Sequence, residues 1–443
     1  MEVQVLSRAP FNIMKLNINP YKGSRDFYPE DKRVLKYLFA KLTTVVQSYG
    51  YEEYDAPMLE EYDLYAAKSG TEIVSQQTYN FTDRAGRKLA IRPEMTPSVS
   101  RMVARKRQEL SYPLRLYSIP NLWRYERQQK GRFREHWQLN VDLFGLSGLQ
   151  GDNEIISVAD DIFQALGASR KMYKIKLNSR KFMEYFFNEF LGLNDEKTKL
   201  IMKLIDGVHK MAITDFISQV DEIIDDSDRQ RLVVEKLIDL IKTDKIKDLP
   251  DKLKNHSSLD TIKEVFRLND DKINLVFDPT IMRGFDYYTD IVFEVFDEDP
   301  DNNRSMMGGG RYDGLVGLFG VEPISTVGFG LGDATLFNFV NNHGLLPDLP
   351  TETDIYAISL DVDLESINSI LKSIRRNGIN IAEGWRGKKM SDQITIALKK
   401  KIPYVLIIGP EEIKTGKLTL KELSTKKEYK LDTSELINFF NDK

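Results

Sequence analysis

Apolar residues recur with a helical period at Val34, Leu35, Leu38, Phe39, Leu42, Val45 and Val46, and the run closes at Tyr49-Gly50. This spacing predicts a helix that follows Gly23-Ser24-Arg25-Asp26-Phe27 and stops at a glycine. Tyr54, Pro57, Leu59 and Tyr62 then make an extended stretch around a proline, which suits an edge or interface strand because proline donates no ladder hydrogen bond. Short strand-like runs at residues 78–81, 88–92, 114–124 and 137–144, separated by polar turns, predict an antiparallel sheet. From about 194 to 275 the chain turns into polar, heavily charged helix, with Ile201, Leu204, Ile205, Val233, Leu237 and Ile241 at spaced apolar positions. That predicts a helical insertion. Strand character resumes at 274–277 and 288–296, then again after Gly308-Gly309-Gly310 at 326–331. A Pro-, Asp- and Thr-rich linker at 346–354 leads to strands at 355–360, 378–382 and 404–408, alternating with helices near 364–377 and 392–401. Alternation of this kind predicts a small parallel or mixed α/β domain. The expected division is therefore 1–193 and 276–345 as two parts of one domain, 194–275 as the insertion and 351–443 as the last domain.

At 443 residues and 41% apolar content the chain can build such cores. No run of about 18 apolar residues occurs, and residues 1–19 lack the basic start, apolar centre and cleavage site of a secretory signal. A soluble, cytoplasmic protein with no membrane partner is expected. The absence of cysteine removes disulfides, thiolate nucleophiles and cysteine-bound zinc. Only four scattered histidines (His136, His209, His256 and His343) remain for any metal, so no protein metal site is expected. The formal charge of −4 argues against binding nucleic acid by bulk electrostatics and leaves local basic patches open.

Such a patch lies at Leu122-Trp123-Arg124-Tyr125-Glu126-Arg127-Gln128-Gln129-Lys130-Gly131-Arg132-Phe133-Arg134-Glu135-His136-Trp137-Gln138. A strand ends in Arg-x-Glu, a basic loop follows, and a return strand carries aromatic and amide groups. Five cations within the eleven positions 124–134 suit a triphosphate, whose charge fixed arginine forks neutralise and orient. A solvated basic hairpin is the bland reading of the same cluster. The interleaved His136, Trp137 and Gln138 argue against it. Arg92-Pro93-Glu94-Met95-Thr96-Pro97 sets an acid and a hydroxyl just after a strand, suited to a ligand's amino group. Arg283-Gly284-Phe285-Asp286-Tyr287-Tyr288-Thr289-Asp290 sets an arginine, two acids and two tyrosines around a turn. Singly, each has a structural explanation: Glu94 as a helix cap, Tyr287 and Tyr288 as packing, Gly308 to Gly310 as a loop.

In order and spacing, from about Tyr21 to the C-terminus, these segments resemble the histidyl-tRNA synthetases, class II aminoacyl-tRNA synthetases. Arg283 to Tyr288 and Gly308-Gly309-Gly310-Arg311-Tyr312-Asp313-Gly314-Leu315 look like two signatures peculiar to that family. The resemblance implies an α+β fold: an antiparallel-sheet catalytic domain with a helical insertion, plus a C-terminal α/β anticodon-binding domain. It implies activation of histidine by ATP with Mg2+, then transfer to the 3′ end of histidine tRNA by a homodimer. Arg124 would bind the ATP α-phosphate and the histidine carboxylate, with Arg283 as the second cation at that phosphate. Glu126 and Arg132 would hold the base and distal phosphates, and His136 stands where an aromatic ring stacks on adenine. Glu94 and Thr96 would receive the α-amino group, Gln138 would sit beside the carboxylate, and Asp142, Tyr287 and Tyr288 would complete the histidine pocket, Asp142 and Tyr287 facing the imidazole. Pro57 matches the proline of the dimer-interface motif.

One departure stands out. The last class II motif ends in a helix bearing an arginine, whereas Gly328-Phe329-Gly330-Leu331-Gly332-Asp333-Ala334-Thr335-Leu336 has none. The rival reading is an inactive, synthetase-like regulatory subunit of histidine biosynthesis, against which stand the intact Arg283 to Tyr288 segment and the last domain. A general RNA-binding module leaves the amino-acid pocket unexplained. Lys389-Met390-Ser391-Asp392 and residues 409–417 superficially resemble nucleotide-binding loops, and are expected to be surface loops.

Overall fold

The computed structural model describes residues 16–66, 77–127, 131–224, 227–270, 272–282, 287–302 and 304–442. They fall into two compact units that meet in sequence at Leu346 and Pro347.

The first helix, Pro29–Ser48, starts with the proline that its first turn tolerates and with Glu30 and Asp31 at its positive end. It buries Leu35, Leu38, Leu42, Val45 and Val46 and stops where Gly50 turns to φ +81°. That stripe packs on the helix Leu149–Ala165, which in turn covers one face of the main sheet.

Among the described residues the main sheet has nine strands. Its order runs Glu52–Glu53, Leu114–Ser118, Glu135–Phe144, Thr326–Gly332, Ser305–Arg311, Ile291–Asp297, Tyr173–Ser179 and Leu275–Phe277, with Asn121–Trp123 paired to the outer part of Glu135–Phe144. The interior pairings are antiparallel and the two edge pairings parallel. Strand Glu135–Phe144 shows why the sheet has two different faces. Successive side chains alternate, so Leu139, Val141 and Leu143 enter the apolar core while His136, Gln138, Asn140 and Asp142 share the opposite face. That polar face carries the candidate site.

Several expectations needed adjustment. Residues 114–124 form two strands, because the chain bends at Ile119-Pro120 and Pro120 O accepts from Gln138 N at 3.2 Å. Tyr62 begins the short helix Tyr62–Ala66 and does not continue the extended stretch. A smaller sheet pairs Leu59–Glu61, Lys88–Ile91 and Asn80–Thr82. Gly308 to Gly310 are no loop; they lie inside strand Ser305–Arg311. Residues 195–268 are mainly helical, and Ile201, Ile205, Phe216, Val220, Val233 and Leu237 join the same apolar core as the sheet.

The second unit has a five-stranded sheet ordered Ile381–Glu383, Ile355–Ser359, Tyr404–Ile408, Leu418–Glu422 and Glu428–Leu431. The first three strands are parallel and the last two antiparallel additions. Ile355 and Ala357 pack on one face with Ile367, Leu371 and Leu436, while Tyr356 and Ile358 pack on the other with Ala397 and Ile402. Burial on both faces explains the unbroken apolar run there. Two expected loops are helix starts: Met390–Lys399 begins directly after Lys389, and Pro410–Thr415 runs between Gly409 and Gly416 (φ +71°). Gly409 N donates to Glu412 Oε2 at 3.1 Å, a local cap too short to leave a hydrophobic period.

Candidate active site

Glycines make the floor of the site. Cross-strand pairing sets Gly328 beside Asp142, Gly330 beside Asn140, Gly308 beside Gly330 and Gly310 beside Gly328, all on the polar face. A Cβ at Gly330 would lie 2.5 Å from Gln138 Nε2, and one at Gly328 2.8 Å from Asp142 Oδ1. A Cβ at Gly310 would lie 3.0 Å from the Tyr288 ring. Side chains on these strands would therefore occupy the space that the polar groups use.

The resulting cavity, of about 90 Å³, is lined by Glu94, Thr96, Arg124, Gln138, Asp142, Tyr287 and Tyr288 together with Asn140 and Tyr312. Residues expected on separate sequence segments thus converge. Helix Thr96–Arg105 has its N-cap at Met95, which offers no capping side chain, so Glu94 precedes the helix and faces the cavity. A larger cavity of about 320 Å³ shares Tyr287 and Tyr288 as a wall and is lined also by Arg180 and Glu184. That arginine is already committed, to Glu184 Oε1 and to Tyr288 O, both at 2.7 Å. The smaller cavity gathers two acids and an arginine, Glu94, Asp142 and Arg124.

Asp142 is its buried acid, 3% exposed. Burial pushes its carboxyl up to about 7, against the opposing hydrogen bonds of Tyr312 and Tyr54. Tyr312 donates to Oδ1, and Oδ2 has no well-formed hydrogen bond. Tyr54 reaches the carboxylate from beyond the edge strand Glu52–Glu53, which runs parallel to Leu114–Ser118. A buried carboxyl near neutrality is suited to a ring N–H that itself titrates near pH 6.5.

The cations gather at the other end of the polar strand face. Arg124 donates from Nε to Pro93 O at 2.8 Å, which fixes its fork over the cavity. Arg132 is paired in two-pronged fashion with Glu126, one bond measuring 2.8 Å. The structure therefore joins these two residues to each other. His136 has its pKa pushed down to about 3 by burial and then by Arg124, Arg25 and Arg132, so its ring is neutral. Arg134 has a different role: its guanidinium stacks 4.0 Å from the Tyr125 ring centroid and donates to Tyr21 OH at 2.8 Å. Arg283 lies outside the described residues. The sequence reading did not select Tyr312, Tyr54 or Asn140 for the site. Tyr312 sat inside the glycine-rich segment already noted, and period-two alternation marked Asn140. Tyr54 had no signal beyond an extended stretch.

A sequence model of the histidyl-tRNA synthetase family matches residues 23–335, and one of an anticodon binding domain matches 357–443. A histidine–tRNA ligase of Leptospira biflexa is 41% identical over 430 residues, covering 96% of this chain and 97% of the relative. One from Thermoplasma volcanium is 35% identical over 427 residues, covering 96% and 98%. The crystal structure of a histidyl-tRNA synthetase from Nostoc shares the fold at a TM-score of 0.78, with 23% identity and coverage of 97% of this chain and 100% of the other. The chain belongs to the histidyl-tRNA synthetase family.

Proposed function

We propose that this chain activates histidine with ATP and transfers it to the 3′ end of histidine tRNA. The observation that carries the reading is the convergence of Glu94, Asp142 and Arg124 on one glycine-floored cavity. An ammonium needs a carboxylate, an imidazole N–H an acceptor, and a carboxylate attacking phosphorus a cation. Glu94 and Thr96 take the α-amino group, Gln138 lies beside the carboxylate, and Asp142, Tyr287 and Tyr288 enclose the ring. Arg124 and Arg283 meet the α-phosphate, while Arg132, Glu126 and His136 take the rest of the nucleotide. Attack of the histidine carboxylate forms the adenylate and releases pyrophosphate, and the tRNA's terminal hydroxyl then displaces AMP. No side-chain nucleophile is required, and positioning and charge neutralisation carry the rate. Magnesium enters on ATP as part of the substrate. The second unit binds the tRNA. Pro57, Met58 and Leu59, exposed beside the small sheet, support a homodimer interface. No helix among the described residues is long and apolar enough to cross a membrane, which is compatible with a cytoplasmic enzyme.

The direct test is exchange of labelled pyrophosphate into ATP with each standard amino acid in turn. Histidine alone should support it. A regulatory subunit predicts no exchange with any of them.

The role of Asp142 gives a sharper expectation. Asp142→Ala leaves an imidazole N–H unpaired, a loss of about 1–3 kcal/mol that corresponds to a rise in histidine KM of roughly 5- to 150-fold. The ATP KM should barely move. Because the carboxyl titrates near 7, it is neutral below that pH and charged above it. The wild-type histidine KM should therefore rise below pH 7, and Asp142→Asn should leave only the part of that rise that comes from the substrate's own imidazole, which titrates near pH 6.5. Equal effects on both substrates, or an unaltered profile, would count against this placement.

A further inference from the structure

The helix that follows the last central strand, Asp333–Asn342, carries no arginine in its first turn. It carries an acid instead. Asp333 is 5% exposed, and its Oδ1 accepts from Trp137 N at 3.0 Å while its Oδ2 accepts from Arg25 at 2.7 Å. Arg25 belongs to the Gly23-Ser24-Arg25-Asp26-Phe27 segment, to which the proposed reaction so far assigns nothing.

That segment is fastened to the basic hairpin. Gly23 O accepts from Arg134 N at 2.8 Å and from Glu135 N at 3.3 Å. Gly23 sits at φ +90°, and a Cβ there would meet the Arg134 side chain at 2.7 Å, so only glycine lets the two segments lie together. The Arg25 guanidinium then lies 4.2 Å from the Phe133 ring centroid, and its Nε is buried with no hydrogen-bond partner. Its charge bears on His136 alongside those of Arg124 and Arg132.

We propose that Arg25 is a nucleotide-binding residue: delivered by the N-terminal segment and held by Asp333, it supplies ATP with the cation that the last motif lacks. The inference rests on the function proposed above. Three arginines around one neutral ring repel one another, and among the described residues only Arg132 of the three has an acid partner on the hairpin itself. Such an arrangement favours a polyanion with a flat base. A tether for the chain would be a weak reason for the pair, because a buried ion pair contributes little net stability compared with apolar packing. Asp333 is a positioning residue here: it holds the fork by one nitrogen and leaves the stacked face of the guanidinium pre-oriented.

The test compares Arg25→Ala, Arg25→Lys and Asp333→Asn with the wild type in three readouts: equilibrium binding of Mg–ATP, the KM values for ATP and histidine in pyrophosphate exchange, and thermal melting. Arg25→Ala should weaken ATP by about tenfold or more and leave the histidine KM within about twofold. Arg25→Lys keeps a cation for Asp333 but loses the planar fork, and should weaken ATP several-fold with an unchanged melting temperature. Asp333→Asn should weaken ATP less than Arg25→Ala does. Unchanged ATP binding in Arg25→Lys overturns the inference, as does a loss of ATP and histidine together in step with falling stability, which marks a tether. If Arg25→Ala does not fold, Arg25→Lys decides alone. A wild type that binds ATP but shows no histidine-dependent exchange overturns the proposed function instead, and the binding arm still decides on Arg25.

Discussion

Replacing Arg124 with alanine is expected to lower kcat for histidine-dependent pyrophosphate exchange by about 100- to 1,000-fold, the usual cost of removing a preorganised donor aimed at developing charge. The expectation comes from how the residue is held. Arg124 follows strand Asn121–Trp123, its backbone N donates to Arg134 O at 2.8 Å, and its Nε is engaged by Pro93 O at 2.8 Å. The side chain thus reaches the cavity in a fixed orientation, and no reorganisation is needed when the histidine carboxylate attacks. The fall should appear in kcat more than in either KM, since the α-phosphate gains negative charge only on the way to the adenylate. Steady-state exchange kinetics with both substrates varied will separate the two. A mutant with unchanged kcat and a raised ATP KM would relegate Arg124 to ground-state binding.

Ending the chain after Pro350 should nearly abolish charging of histidine tRNA while much of the pyrophosphate exchange survives. The second unit begins at Pro347 and has apolar cores of its own. The residues that line the cavity belong to the first unit. The cut falls beyond Leu345 and Leu346, which pack against the first unit's core, so that core keeps its cover. Comparing aminoacylation with exchange on one preparation measures the two activities together. Full charging by the truncated chain would show that the last unit is not the tRNA-binding element.

Much of this site was legible before any coordinates. The Arg-x-Glu hairpin, the Glu94 turn and the Tyr287-Tyr288 segment are contiguous stretches whose residue types are costly to bring together without a ligand, and Glu94, Thr96, Arg124, Gln138, Asp142, Tyr287 and Tyr288 do line one cavity. The elements followed from the periods of 3.6 and 2, because burying one face of a helix or strand imposes that repeat on its own local sequence. Pairing Glu126 with Arg132, by contrast, is a choice of rotamer that spacing does not encode. The same holds for the short elements at Tyr62–Ala66 and Pro410–Thr415, each too brief to show a period.

By itself the sequence determined the family, the order of helices and strands, the α/β character of the last unit and most of the groups that line the cavity, since these depend on local periodicity and on motifs a few residues long. Only the tertiary structure decided that Gly308, Gly328 and Gly330 form a single floor, because that depends on cross-strand register. It alone put Tyr312 and Tyr54 on Asp142, and only burial moved that carboxyl toward neutrality. It also paired Arg25 with Asp333, 308 positions apart in sequence, a contact that exists because two distant segments meet at one end of the paired central strands Glu135–Phe144 and Thr326–Gly332 and that no local pattern announces.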